Sequence, residues 1–200
     1  MILQEIAGYD KKDPVSAELP PEDYNAFLSE GATNLKVGLI RHFYTDDWKA
    51  PKTIVGAVDN IAATLRSLGA QVEEISVSPL MDWHAVGRIL LTAEAYDIHE
   101  DRLKNHWEEY GSLARGRMML GATIRAADYI QAQRRRSELM EEMDNIFSTY
   151  DLVITTATLD ETPLLTDKNP YPNLETPMIQ VPFNLTLHPA ISIQIGRAHV

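Results

Sequence analysis

The chain has 200 residues, 44% hydrophobic and 24% charged, with a formal net charge of −11. Such a length buries a real core, and the mixture is that of a globular rather than a disordered protein. The acidic balance argues against a nucleic-acid surface, and no apolar run nears the roughly 20 residues that span a bilayer.

Met1 to Gly8 lacks a basic leader, so it is not a signal peptide, and a cytoplasmic chain without membrane association is predicted. The absence of cysteine excludes disulfides, thiolate metal sites and a cysteine nucleophile. Ile2 to Ala7 reads as the closing turns of a helix capped by Gly8. Leu35 to Ile40 has the length and apolarity of a buried strand, and a polar and aromatic loop through Asp47 and Trp48 follows to Pro51. Ile54, Val58, Ile61, Leu65 and Leu68 then mark one helical face, with Gly69 placed to end it in the left-handed conformation. Val72, Ile75 and Val77 give a second strand. Strand, helix and strand within about 45 residues predict a βαβ unit with parallel strands, and hence an α/β fold with a mixed, mostly parallel sheet covered by helices.

Beyond Pro79 the pattern turns helical. One helix is expected from Met81 to Lys104, mildly interrupted at Gly87, a second from near Glu108 and a third from Ala126 to Tyr150. The apolar residues of the third include Ile130, Leu139, Met143, Ile146 and Phe147, while Arg134-Arg135-Arg136 reads as a solvated face. Leu152 to Thr155 reads as a return strand. Pro163, Pro170, Pro172, Pro177, Pro182 and Pro189 then punctuate a loop-rich stretch, and Ala190 to Ile193 reads as the entry to another strand. Ile195-Gly196-Arg197-Ala198-His199-Val200 matches one reading frame of a common sequencing adapter. Residues 195–200 are therefore expected to be a non-native tail on a single domain portion, 1–194, incomplete at both ends.

Reactive chemistry is hard to find. The nine serines offer neither Gly-x-Ser-x-Gly nor Ser-x-x-Lys, and Gly111-Ser112 marks a helix boundary. No glycine-rich nucleotide loop is present. His84, His99 and His106 are spaced by fifteen and seven residues, which does not make a metal set on a helix, so they read as polar histidines at helix edges or packed against Trp83 and Trp107. His188 precedes Pro189 in a loop. Arg117, between Gly116 and an apolar turn, could clamp a carboxylate in bidentate fashion or form an ion pair with one of the 29 acidic residues.

The order of several stretches nevertheless resembles a known family. Ala7-Gly8-Tyr9-Asp10-Lys11-Lys12-Asp13-Pro14, Leu35 to Ile40, His84 through Tyr96, Tyr110 through Gly121, Ala127 to Arg135, and Phe183-Asn184-Leu185-Thr186 with Pro189-Ala190 are similar, in sequence order, to segments of amidase-signature enzymes. The resemblance covers nearly all of residues 1–194. It implies hydrolysis of a carboxamide C–N bond through a Ser-Ser-Lys mechanism whose residues lie upstream of the Ala-Gly-x-Asp-x-x-Asp-Pro stretch, so that no catalytic residue is carried over here. The isolated chain is then expected to be inactive on amides. The resemblance also implies a small carboxamide substrate, no cofactor and no metal. It leaves room for a homodimer, and it makes Arg117 the position that holds a substrate carboxylate in some amidotransferase members. Two other readings stand beside the hydrolase: the amidase subunit of a transfer-RNA-dependent amidotransferase, and a non-catalytic binding or structural domain. Two departures bear on the pocket rim. Leu187 replaces the usual glycine of the Asn-x-Thr-Gly turn, which predicts an altered backbone there, and Thr156-Ala157 replaces Thr-Pro.

Overall fold

The structure, a computed structural model, describes residues 2–20, 22–161 and 176–193. The expected tail at 195–200 and the turns at Pro163, Pro170 and Pro172 lie outside these residues. The chain opens with α1 (Ile2–Ile6). The side-chain amide of Gln4 then takes the Tyr24 N–H at 2.8 Å and donates to the Glu22 carbonyl at 3.0 Å. Strand β1 (Lys36–Ile40), α2 (His42–Thr45), α3 (Lys52–Ser67) and β2 (Gln71–Ile75) follow.

The predicted unit is present: β1 and β2 run parallel, Lys36 opposite Gln71 and Ile40 opposite Ile75. Helix α3 ends as Gly69 predicts. Its φ is +93°, the Gly69 N–H reaches the Arg66 carbonyl at 3.0 Å and Ala70 N–H reaches that of Leu65 at 3.0 Å. This is the paired closure that a residue free to enter the left-handed region allows. The buried face of α3 is Val58 and Ala62, flanked by Val55 and Leu65, whereas Leu68 lies outside it and is 55% exposed.

Helix α4 (Leu80–Asn105) is a single uninterrupted rod through Gly87. A 3₁₀ turn at Trp107–Glu109 stands where a second helix was expected, and α5 (Ser112–Met119) starts at the Gly111-Ser112 boundary. After a further 3₁₀ turn, Leu120–Thr123, helix α6 (Ala126–Phe147) packs along α4. Its buried stripe is Ala132, Leu139 and Met143, and Ile130 is half exposed rather than in the core. The arginine run is not simply solvated. Arg135 pairs with Asp82 on α4 and with Glu138, and Arg136 donates through Nε to the Leu185 carbonyl at 2.8 Å.

Strand β3 (Leu152–Ile154) joins β1 in parallel on the side away from β2, giving the order β2-β1-β3. All three described strands are parallel. The core lies between this sheet and the helices, around the fully buried Leu39, Ile40, Phe43, Tyr44, Trp83 and Leu139. Helix α7 (Val181–Thr186) begins with Pro182 in its first turn, where a missing N–H costs no helical bond. Residues 190–193 are not a strand; they are exposed and without ladder bonds. Among the described residues, no helix is long and apolar enough to cross a membrane.

Candidate functional site

Two groups of side chains stand at the carboxyl ends of the strands and on the helices beside them. The first follows β1. Arg41 grips both oxygens of Asp59 on α3, through Nη1 and, at 3.2 Å, through Nη2. His42 Nε2 accepts the Val77 N–H at 3.3 Å, so Nε2 is the bare nitrogen and Nδ1 carries the proton toward Asp47 Oδ2 at 3.0 Å. The same oxygen of Asp47 takes the Leu80 N–H at 2.8 Å, one of the unpaired donors opening α4. Both imidazole nitrogens are occupied. The pair therefore resembles a catalytic dyad in composition only, and its geometry is that of a latch between β1, the exit of β2 and α4. Sequence reading missed it, since Asp47 sits in a polar loop and its third partner is 33 residues away. Next to it Tyr44 is fully buried with its hydroxyl unpartnered among the described residues. Burial pushes that phenol up to about 12, against the pull of Arg41.

The second group surrounds α5 and α7. Arg115 stacks over the Trp107 ring, 4.7 Å from its centroid, and donates to the Trp107 carbonyl at 3.3 Å. Arg117, two residues on, is half-buried. Its Nε is buried without an acceptor, and among the described residues no carboxylate comes within ion-pair distance. The ion pair that the sequence offered for it is therefore not formed there.

The histidines singled out by spacing each have a separate environment. His84 Nδ1 accepts the Met178 N–H at 3.2 Å; His99 meets the Tyr110 hydroxyl at 3.0 Å; His106 lies 3.4 Å from Glu109 at the surface. His188 stacks on Phe147, with ring centroids 4.5 Å apart, and approaches Asp144 at 3.3 Å. No three of His, Asp or Glu converge on a common point among the described residues.

Leu187, where the sequence departs from the usual glycine, adopts the left-handed conformation with φ +63°, ψ +14°. A branched side chain is held where glycine costs nothing, which costs an L-residue about 1–2 kcal/mol. Leu187→Gly is expected to stabilise the protein by about 1 kcal/mol, once the greater freedom of glycine in the unfolded chain is set against the relieved strain. Urea titration of the two proteins checks this. The Thr156-Ala157 turn is tied to the α7 side, as Gln180 donates through Nε2 to the Ala157 carbonyl at 2.6 Å.

Three parallel strands packed against a helical layer make this an α/β protein. The family model Amidase matches residues 1–199, and the chain belongs to that family. It is similar to the glutamyl-tRNA(Gln) amidotransferase A-subunit of Microcystis aeruginosa, 28% identical over 221 residues, covering 98% of this chain and 45% of the relative. It is also similar to an amidase of Pseudomonas putida, 28% identical over 156 residues, covering 77% of this chain and 33% of that one. Among solved structures, a bacterial aryl acylamidase of the amidase-signature family superposes with a TM-score of 0.66 at 15% identity, over 92% of this chain and 41% of that one. The glutamyl-tRNA(Gln) amidotransferase A-subunit of Thermotoga maritima does so with 0.61 at 22% identity, over 92% and 40%. These two likenesses show the fold. The chain spans less than half the length of the relatives it matches.

Proposed function

We propose that this chain forms one wall of a site that hydrolyses a carboxamide C–N bond, with Arg117 binding an acidic group of the substrate. The observation that supports this reading is the state of Arg117. In a chain carrying 29 acidic residues, its guanidinium has no carboxylate partner among those described, and one of its N–H groups is buried without an acceptor. A buried donor left unpaired costs about 1–3 kcal/mol, and a bound carboxylate would relieve that cost through bidentate contact. The Ser-Ser-Lys residues implied by the resemblance would be supplied from outside residues 1–200, since no serine here sits in a glycine-rich turn beside a lysine. Their backbone oxyanion hole would stabilise the charge of the tetrahedral intermediate, and no cofactor enters this scheme.

Arg117→Lys in the active amidase should raise KM for an acid-bearing amide about 10–100-fold while kcat changes little, because an ammonium replaces a planar fork with a point charge. Equal losses on an amide with no acidic group would overturn the role of Arg117. The similarity to amidotransferase subunits favours a second reading, in which the chain is part of the amidase subunit of such a complex. Ammonia release from glutamine that rises when the partner subunits are added would favour it over a stand-alone hydrolase.

A further inference from the structure

The segment from Met178 to Leu187 carries α7 and lies across α4 and α6. It is held at three places. His84, in the second turn of α4, accepts the Met178 N–H. One turn on, Gly87 lets Val181 press onto the α4 backbone, where a Cβ would overlap Val181 Cγ1. At the far end the Arg136 guanidinium holds the Leu185 carbonyl. Val181, Leu185 and Thr186 are buried beneath these contacts.

The first hold differs from the others in kind. A backbone N–H only donates, so the Met178 bond exists only while His84 Nδ1 bears no proton. The imidazolium would set one donor against another across 3.2 Å. We propose that His84 is a positioning residue that acts only when neutral, fixing Met178–Leu187 against α4 by accepting the Met178 N–H. As a statement about catalysis this rests on the reading that the turn at Leu187 lies on the rim of the amide pocket. As a statement about docking it does not.

The surroundings agree. Burial first, and then the positive charge of Arg88 one turn along α4, hold the His84 imidazole below its ordinary value of 6.5. Asp82 and Arg135, on the neighbouring turn and on α6, are paired with each other, and Arg136 is engaged at Leu185. Residues 176–187 of the docked segment carry no ionisable side chain. A lowered folded-state pKa means that the unfolded chain binds the proton more readily. The docking contribution is therefore complete above pH 6.5 and is lost as pH falls below it toward the folded-state value. Acid should thus free the Met178 end.

Amide hydrogen exchange at Met178, corrected for intrinsic rate, tests this on the full chain. In the wild type, protection should fall about tenfold or more between about pH 7.5 and about pH 5. In His84→Gln, whose side-chain oxygen can take the same N–H at any pH, protection should stay level. Unchanged protection in the wild type would overturn the proposal, as would an equal fall in both proteins. Should His84→Gln not fold, the nuclear magnetic resonance titration of His84 in the wild type decides. The loss of Met178 protection must then fall between pH 6.5 and that midpoint, and a loss confined to pH below the midpoint overturns the idea. If exchange behaves as expected while KM of the amidase is flat over that pH range, the docking role stands and the pocket-rim reading fails.

Discussion

Gly121→Ala is expected to destabilise the protein by about 3 kcal/mol, which in a chain of this size lowers the melting temperature by about 6–12 °C. Gly121 sits in the 3₁₀ turn that presses onto the middle of α4. A Cβ there would overlap the carbonyl oxygen of Thr92, stand 2.9 Å from its carbonyl carbon and collide with Tyr96 Cβ. Two of those three atoms are backbone of a long helix, which cannot swing aside as a side-chain tip can. Gly56→Ala, in α3, is the matched comparison, since nothing lies within 4 Å of its Cβ position. That substitution should be neutral or stabilising by up to about 1 kcal/mol, because alanine is the better helix former. Thermal unfolding followed by circular dichroism separates the two. Similar melting temperatures would mean that the turn does not approach α4 so closely.

Asp47→Ala should cost about 2–3 kcal/mol without removing any hydrophobic surface of consequence. One carboxylate oxygen serves both the His42 ring and the Leu80 N–H, and Leu80 is fully buried. Alanine leaves both donors unpaired, each in a part-buried setting, and an unmade bond there is worth more than a formed one at the surface. Asp47→Asn retains an oxygen acceptor and should lose about 1 kcal/mol. Denaturant midpoints for the two variants test the order. Equal losses would show that charge, rather than acceptor geometry, is what the latch requires.

The parts of this fold that were legible in the sequence are those whose causes are local. Strand β1, helix α3, its closure at Gly69 and strand β2 each follow from residue spacing within a short window, and the paired strands lie where that spacing puts them. Ile130 shows where such reading stops. It fits the apolar spacing of α6, yet the stripe that faces α4 is set by Ala132, Leu139 and Met143, a choice made by the partner helix. Arg136 shows the same limit for charge. Its neighbours Glu138, Glu141 and Glu142 suggest a solvated face, but its acceptor is a carbonyl 49 residues downstream. Leu187 marks a different limit: a branched residue takes the left-handed backbone at the end of α7, which its identity alone does not announce. The candidate site was legible at Arg117 through family resemblance, whereas the absence of a carboxylate beside it required tertiary structure.

The sheet order also sets a sequence of assembly. The contact between β1 and β2 closes across the short α3 excursion, but Lys36 N–H reaches the Asp151 carboxylate over a separation of 115 residues. Closing the longer loop carries an extra entropic cost of about 1 kcal/mol, and every residue of α4, α5 and α6 lies inside it. The βαβ unit can therefore form while those helices are still being synthesised, whereas β3 can add only once the residues between have been made. Until then one side of β1 is an unpaired edge, a template open to any extended chain that arrives first.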